Sequence, residues 1–246
     1  MTQGKIKKKH QVLTGENLTA AQRRTYIIVI GLLTTLLPFT IDLVLPAFPS
    51  IGQDFNAPNS AVQFTFTGVT IGFAIGQLVA GPLADAIGRR RPMLILTALH
   101  LTGSLLCIVT PSIDMFFFSR LLQGIGGAGA AVLMGAIVRD LYTGAPMLKM
   151  MARVSLISGL APILAPLIGS QLVTLLPWRG LFVFLACYGA MVWFFTYRYL
   201  IETLHRDNRR MLGKLAVVAL AMFGFGYALV PMYRTICDAL GINVLS

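Results

Sequence analysis

Charged residues are scarce in this chain. They make up 12% of its 246 residues, and Asp and Glu together number only 9, whereas an average soluble domain carries about 25% charge. Residues 55–84 contain no Asp, Glu, Lys or Arg at all. One helix needs roughly 20 apolar residues to cross a hydrocarbon core, so this run is more than long enough for a complete crossing. The shortage of charge excludes a soluble domain and predicts a polytopic membrane protein.

The length of the apolar runs also excludes a membrane β-barrel. Barrel strands need only about 9–11 residues each and alternate in polarity, and helices are the remaining way to satisfy the backbone in lipid. The sequence therefore predicts an all-α membrane helix bundle. Charge-free stretches between polar connectors predict seven spans near residues 25–46, 61–83, 92–110, 115–138, 154–176, 181–200 and 212–233.

Cysteine and histidine are few and widely separated. The chain has three of each, with no C-x-x-C or C-x-C spacing: Cys107, Cys187, Cys237, His10, His100 and His205. Because thiolate and imidazole ligands must converge to hold a metal ion, we expect no metal site. No nucleophile paired with a base and no phosphate-binding loop is apparent in the sequence either. The sequence therefore predicts neither an enzyme nor a bound cofactor.

Basic residues outnumber acidic ones, 20 to 9, and follow the connectors on one side of the predicted bundle. Only Arg179 and Arg234 fall on the other side, and only Arg120 lies within a span. Lys and Arg are retained on the cytoplasmic side of a membrane. We therefore expect residues 1–24 to be a basic cytoplasmic tail and the C-terminus to lie outside. A basic surface can also indicate nucleic-acid binding, but this distribution favours orientation and attraction to anionic headgroups.

Two ionisable residues within the predicted spans are the first candidates for a functional role. Such a group costs about 2.5–3.5 kcal/mol on insertion scales and usually faces a cavity or a partner. Asp42 lies towards the outer end of the first span, and Arg120 opens the main body of the fourth. Gln123 follows Arg120 on the same helical face. The alternatives are an interfacial carboxylate for Asp42 and a snorkelling cation for Arg120.

Glycine is concentrated in the fourth span. Residues 124–129 formally match the dinucleotide-binding pattern G-x-G-x-x-G, which requires a preceding strand and a βαβ unit, and neither is predicted here. We interpret these glycines, together with Gly72 and Gly76, as sites where a neighbouring helix approaches closely. Pro162 and Pro166 predict kinks or local weakening of the fifth span.

Four motifs occur in order along the first six spans. Asp42 with residues 45–49 comes first, and residues 120–127 come third. The second is the loop motif, with Gly81, Asp85, Gly88, Arg89, Arg90 and Arg91, and the fourth is a helix motif with Gly159, Pro162, Pro166 and Gly169. This order resembles the N-terminal six-helix half of the major facilitator superfamily, and most of all its Bcr/CflA-type drug:proton antiporters. Ala165 departs from the pattern, because the wider antiporter motif often has glycine there.

The resemblance implies alternating access, in which a cavity near the bilayer midplane opens to one side and then to the other. It assigns Asp42, Arg120 and Gln123 to coupling of protons and substrate, and the loop motif to a cytoplasmic gate. The substrate would be a drug-like or cationic compound, and the location the bacterial inner membrane. Residues 25–207 would form the six-span half, working with a separate C-terminal half or as a homodimer.

Residues 208–246 depart from this pattern. The seventh predicted span, followed by Cys237, resembles the membrane anchor of CtaG-type copper-delivery factors for cytochrome c oxidase, here without their paired-cysteine domain. One thiol cannot supply the thiolate cluster that selects Cu(I). We therefore expect a chimera joined near residue 208. An accessory role in oxidase assembly and an inactive scaffold are the alternatives to transport.

Overall fold

The computed structural model describes residues 19–200, and these form a bundle of α-helices without a strand in that range. Short connectors join successive helices, so that each helix returns along the bundle. The helices are α1 Ala20–Asp42, α2 Phe48–Asp54, α3 Asn59–Ile87, α4 Arg90–Val109, α5 Ile113–Leu141, α6 Gly144–Leu175 and α7 Trp178–Tyr199.

Six helical segments in the described range are long and apolar enough to cross a membrane. In the first of them, α1 continues through a 3-10 turn at Leu45–Ala47 into the short helix α2. The six segments correspond to the first six predicted spans and confirm the expected all-α bundle. The seventh predicted span, residues 212–233, and the expected junction near residue 208 lie outside the described residues.

The connectors alternate between two ends of the bundle. The end with connectors 88–89 and 142–143 is called the Arg89 end, and the end with connectors 43–58, 110–112 and 176–177 is called the Asp54 end. The charge distribution predicts that the Arg89 end is cytoplasmic. The first half of α1 lies towards the Arg89 end, so Asp42 lies towards the Asp54 end.

Local chemistry sets several helix boundaries. Gly88 ends α3 with φ 98°, a conformation that glycine adopts without the steric cost of a Cβ. Ser112 caps α5, because its Oγ accepts a hydrogen bond from the Met115 amide at 3.4 Å. The start of α6 at Gly144 lies well before the predicted residue 154. Lys149 interrupts the apolar run there but not the helix.

The glycines of α5 bring two neighbouring helices into backbone contact. A Cβ on Gly124 would overlap the carbonyl oxygen of Val69 in α3, and a Cβ on Gly72 would overlap that of Leu121 in α5. On another side of α5, Gly126 packs against the backbone of α4. The structure thus confirms that these glycines permit close helix approach.

Two apolar clusters fill the bundle, with a polar layer between them. The cluster towards the Arg89 end includes Leu33, Met134 and Ile137. The cluster towards the Asp54 end is aromatic, and Phe116 and Trp178 pack edge-on with ring centroids 5.5 Å apart. Arg120 and its polar neighbours lie along the chain between the residues of these two clusters, and they form the candidate site.

Candidate functional site

Arg120 is buried inside the bundle, with 1% of its surface exposed. Its Nη1 donates a hydrogen bond to the Thr40 carbonyl oxygen at 2.9 Å and another to Gln123 Oε1 at 2.8 Å. The guanidinium also lies over the ring of Phe182, 5.6 Å from its centroid. The snorkelling alternative for Arg120 is therefore wrong, and the predicted association with Gln123 is present.

The contact with Thr40 places a cation at the C-terminus of α1. Thr40 belongs to the last turn of this helix, where backbone carbonyls lack intrahelical donors. A positive charge near a helix C-terminus also interacts favourably with the helix dipole. Arg120 therefore caps α1 across the bundle and fixes the position of its last turn, which ends at Asp42.

A chain of hydrogen bonds extends from Gln123 into α4. Gln123 Nε2 donates to Ser104 Oγ at 2.7 Å, and Ser104 Oγ donates to the His100 carbonyl oxygen at 2.9 Å. The Cys107 thiol lies 3.8 Å from Gln123 Oε1, at the long limit for a sulfur donor. Gln123, Ser104 and His100 are all buried, so this network is shielded from solvent and lipid.

His100 joins the same network from its ring. Its Nε2 lies 2.7 Å from Thr40 Oγ1, and Thr40 Oγ1 in turn donates to the Leu36 carbonyl oxygen at 2.7 Å. Sequence reasoning missed His100, Ser104 and Thr40 as site residues. One signal was present, because His100 and Ser104 are four residues apart and share a face of the third predicted span.

Asp42 is half-buried and lies two residues beyond Thr40. Among the ion pairs of residues 19–200, none joins Asp42 to Arg120. Within the same range, Nε and Nη2 of the Arg120 guanidinium have no hydrogen-bond partner. The structure therefore brings the two ionisable residues to one end of α1 without pairing their charges.

The loop motif forms a charged cluster at the Arg89 end. Arg89 pairs with Asp85 through Nη1, and its Nε donates to Asp140 Oδ2 at 3.2 Å. The cluster therefore ties the end of α3 to the end of α5. Next to it, Arg90 Nη2 donates to the Tyr197 carbonyl oxygen at 2.7 Å. Asp140 and Tyr197 were not predicted, because they come from distant helices.

The remaining loop-motif residues have different surroundings. Arg91 is exposed, whereas Gly88 is buried at the connector. Gly81 has room for a Cβ, whose nearest neighbour would be Val132 Cγ1 at 3.8 Å. Gly81 is therefore not required for close packing in this arrangement of the helices.

The antiporter motif lies on α6, which continues as one helix through Pro162 and Pro166. Gly169 packs against the backbone of Leu43, the residue that follows Asp42 at the end of α1. Gly159 and Pro162 lie on the exposed face of α6, where a Cβ on Gly159 would have no neighbour within 4 Å. Of these glycines, Gly169 thus has a close contact at the end of α1 and Gly159 has none.

Within residues 19–200, no group of three or more His, Cys, Asp or Glu side chains is placed to hold a metal ion. Cys107 and Cys187 are not in a disulfide, and Cys237 lies outside the described residues. The polar groups of the site are instead a guanidinium, an imidazole, an amide and hydroxyls. Such groups can bind a polar molecule, orient it and exchange hydrogen bonds with it.

A family model described as Major Facilitator Superfamily matches residues 30–245 of the chain. The match takes in most of the 208–246 segment, whose resemblance to a copper-factor anchor stays a prediction. The fold of residues 19–200 agrees, because the proton:xylose symporter XylE superposes with a TM-score of 0.69. That match has 15% sequence identity and covers 92% of this chain and 57% of XylE.

Two curated relatives are similar in sequence. The uncharacterized MFS-type transporter YdgK of Bacillus subtilis is 37% identical over 196 residues, which are 78% of this chain and 48% of that protein. The bicyclomycin resistance protein homolog of Haemophilus influenzae is 34% identical over 187 residues, 75% of this chain and 46% of that protein. The chain spans about half the length of the curated relatives it matches. It belongs to the major facilitator superfamily, a family of membrane transporters and not of enzymes.

Proposed function

We propose that this protein takes part in proton-coupled export of drug-like or cationic compounds across the bacterial inner membrane. The bicyclomycin resistance homolog among its relatives supports the substrate class. The observation that carries the proposal is the buried Arg120, bound to the carbonyl of Thr40 two residues before Asp42. Arg120 thus holds the last turn of the helix that carries Asp42, and gain or loss of one proton at that carboxyl changes the charge at this end of α1.

The proposed coupling uses the two guanidinium nitrogens that lack a partner in the described range. When Asp42 is ionised, Nε and Nη2 of Arg120 attract its carboxylate and draw the end of α1 towards α5. When Asp42 is protonated, the attraction is lost and the end of α1 is released. A cationic substrate competes for the same carboxylate. Proton binding and substrate binding are therefore linked through Asp42.

Movement of α1 would be passed to α6 through the close contact of Gly169 with Leu43. The exposed face of α6 around Gly159 and Pro162 leaves room for that helix to shift. At the other end, the Asp85–Arg89–Asp140 cluster would form the cytoplasmic gate, carried by the joined ends of α3 and α5 and facing the second half. This gate role presumes the predicted orientation, with the Arg89 end in the cytoplasm.

We infer that the six-span half works with a second half, because an alternating-access cavity in this superfamily lies between two repeats. The second half would be another copy of this chain or another six-span segment. The oxidase-assembly alternative rests on residues 208–246, which lie outside the described range, so no described contact favours it.

The proposal is tested by substituting Asp42→Asn and following ethidium export, which appears as uptake into everted membrane vesicles energised by a pH gradient. We expect efflux to fall by about 5- to 150-fold, the range of a coupling free energy of about 1–3 kcal/mol. The amount of inserted protein should not change, because an amide of the same shape replaces the carboxyl. Asp114→Asn is the matched control, since Asp114 is exposed in the first turn of α5 and has no proposed role. Undiminished efflux by Asp42→Asn would refute the assignment.

A further inference from the structure

We propose that His100 is a positioning residue, whose ring holds the last turn of α1 through Thr40 and thereby sets the position of Asp42. The inference rests on the proposed function, in which Asp42 carries the coupling proton. It adds a residue from α4 to a site that the sequence motifs place on α1 and α5 alone. Its basis is the hydrogen bond of 2.7 Å between His100 Nε2 and Thr40 Oγ1.

The ring of His100 is confined by its neighbours. The residue is fully buried, and α5 reaches its backbone at Gly126. On α7, a Cβ on Gly189 would lie 3.3 Å from His100 Nδ1, so the absence of a side chain there leaves space for the ring. A confined ring presents Nε2 in one direction, which suits a role in fixing the position of Thr40.

Thr40 receives contacts from two helices. Its carbonyl oxygen accepts from Arg120 of α5, while its hydroxyl pairs with His100 of α4. The last turn of α1 is thus held at its backbone and at a side chain. When the attraction between Asp42 and Arg120 changes, the His100 contact provides a fixed point about which the end of the helix turns.

The hydrogen-bond inventory indicates how the proton is arranged. We assign the single Thr40 hydroxyl proton to the Leu36 carbonyl, so that the ring donates from Nε2 to Thr40 Oγ1. His100 Nδ1 has no partner within the described residues. A second ring proton would leave an unpaired buried donor beside the Arg120 cation, which is unfavourable. We therefore assign His100 the part of a hydrogen-bond donor and not of a proton carrier.

The test uses two substitutions that separate the ring nitrogens. The amide nitrogen of glutamine reaches the position of Nε2, whereas that of asparagine corresponds to Nδ1. His100→Gln should therefore keep the bond to Thr40, and His100→Asn should lose it. We expect His100→Gln to retain the efflux rate and its pH profile. We expect His100→Asn to lower the proton-driven rate about fivefold or more and to raise the KM for ethidium, because the cation binds the displaced Asp42 carboxylate.

A second measurement follows the end of α1 without any need for transport. Leu45 is exposed just beyond Asp42, so a Leu45→Cys variant reports the position of this turn by its rate of reaction with a maleimide. Cys187 and Cys237 are replaced by Ser, and the buried Cys107 is kept. The reaction should be faster in the His100→Asn background and unchanged in the His100→Gln background.

The inference is overturned if His100→Gln and His100→Asn label and transport alike, because the ring would then only fill space. Thermal unfolding of each variant in detergent identifies a variant that has lost its fold. If His100→Asn does not fold, the labelling rate of Leu45→Cys in the His100→Gln background still shows whether an amide at the position of Nε2 is sufficient to hold the end of α1. Efflux that survives Asp42→Asn while Leu45 labelling follows the expected pattern means that the proposed function has failed and the positioning of α1 stands.

Discussion

At the scale of single residues, the missing Cβ of Gly124 decides how closely α3 and α5 approach. The carbonyl oxygen of Val69 occupies the space that an alanine methyl group would need, and it belongs to the backbone of the neighbouring helix. Such an atom cannot move aside without moving the helix. Gly159 is the opposite case, because no atom lies within 4 Å of the place where its Cβ would stand.

The change Gly124→Ala should lower the free energy of unfolding by about 1–3 kcal/mol, the usual cost of overpacking a tight contact. Thermal unfolding in detergent provides the measurement. Gly159→Ala is the control and should not lower stability, because alanine is the better helix former and its Cβ would meet no neighbour there. Equal effects of the two substitutions would show that α3 and α5 do not pack as closely as described here.

The residues of the site were predictable in unequal measure. Arg120 and Gln123 are visible from sequence because an ionisable residue and an amide one turn apart are rare in an apolar span. His100 and Thr40 are less visible, because hydroxyl groups are common in such helices and a single histidine has several ordinary explanations. Their partnership joins α4 to α1, and no spacing along the chain encodes it. The hydrogen bond from Arg120 to the Thr40 carbonyl could not be predicted either, because it joins two helices that are far apart along the chain.

At the scale of helices, Arg179 at the start of α7 joins three elements of the Asp54 end. Its Nε donates to the Ile108 carbonyl and its Nη2 to the Thr110 carbonyl, both at 3.2 Å, at the C-terminus of α4. Its Nη1 pairs with Asp54 Oδ2 of α2 at 2.5 Å. Trp178 Nε1 donates to the same carboxylate at 3.1 Å. Arg179 is therefore a helix cap and a cross-link between helices.

Replacing Arg179→Gln should destabilise the bundle by about 1–2 kcal/mol. Charged hydrogen bonds to the end of α4 are lost, and the partly exposed pair with Asp54 adds little to that cost. Denaturation followed by tryptophan fluorescence is suitable, because Trp178 lies in this cluster. Arg198→Gln is the matched control at the other end of α7, where Arg198 is exposed, and it should change stability by less than about 0.5 kcal/mol. A destabilisation by Arg198→Gln as large as that by Arg179→Gln would contradict the capping role.

The positions of the helices could be predicted from the sequence where the bilayer requires a continuous apolar run. The charge-free runs gave the six described spans because a helix in lipid must be apolar along its crossing. The predicted start of the fifth span, residue 154, lies ten residues after the start of α6 at Gly144, because the prediction followed apolar residues alone. A helix continues beyond the hydrocarbon layer without needing apolar residues, so Lys149 marks the end of the apolar run and not of the helix. Pro162 and Pro166 likewise do not end α6.

At the scale of the whole molecule, the charge distribution predicts which end of the bundle faces the cytoplasm. The Arg89 end carries Arg89, Arg90, Arg91 and Arg139, whereas Arg179 is the basic residue of the Asp54 end within residues 19–200. Lys and Arg on connectors determine orientation at insertion. The Arg89 end is therefore expected inside.

Labelling by a membrane-impermeant maleimide in intact cells checks this orientation. Ser60→Cys at the Asp54 end and Thr143→Cys at the Arg89 end are both exposed positions, placed in a background in which Cys187 and Cys237 are Ser. We expect Ser60→Cys to react in intact cells and Thr143→Cys only after permeabilisation. The reverse pattern would mean that the bundle is inserted the other way round, and the assignment of the cytoplasmic gate would then fail.

The glycine contacts on two sides of α5 divide the bundle into parts of different mechanical character. At these glycines backbone lies against backbone, and α3, α4 and α5 therefore behave as one stiff block. The helix α6 touches α1 closely at Gly169 and leaves most of its surface uncovered. Substitutions that change which substrates the protein binds are therefore expected to accumulate on α6 during evolution. The amino-acid sequences of α3, α4 and α5 should change much less.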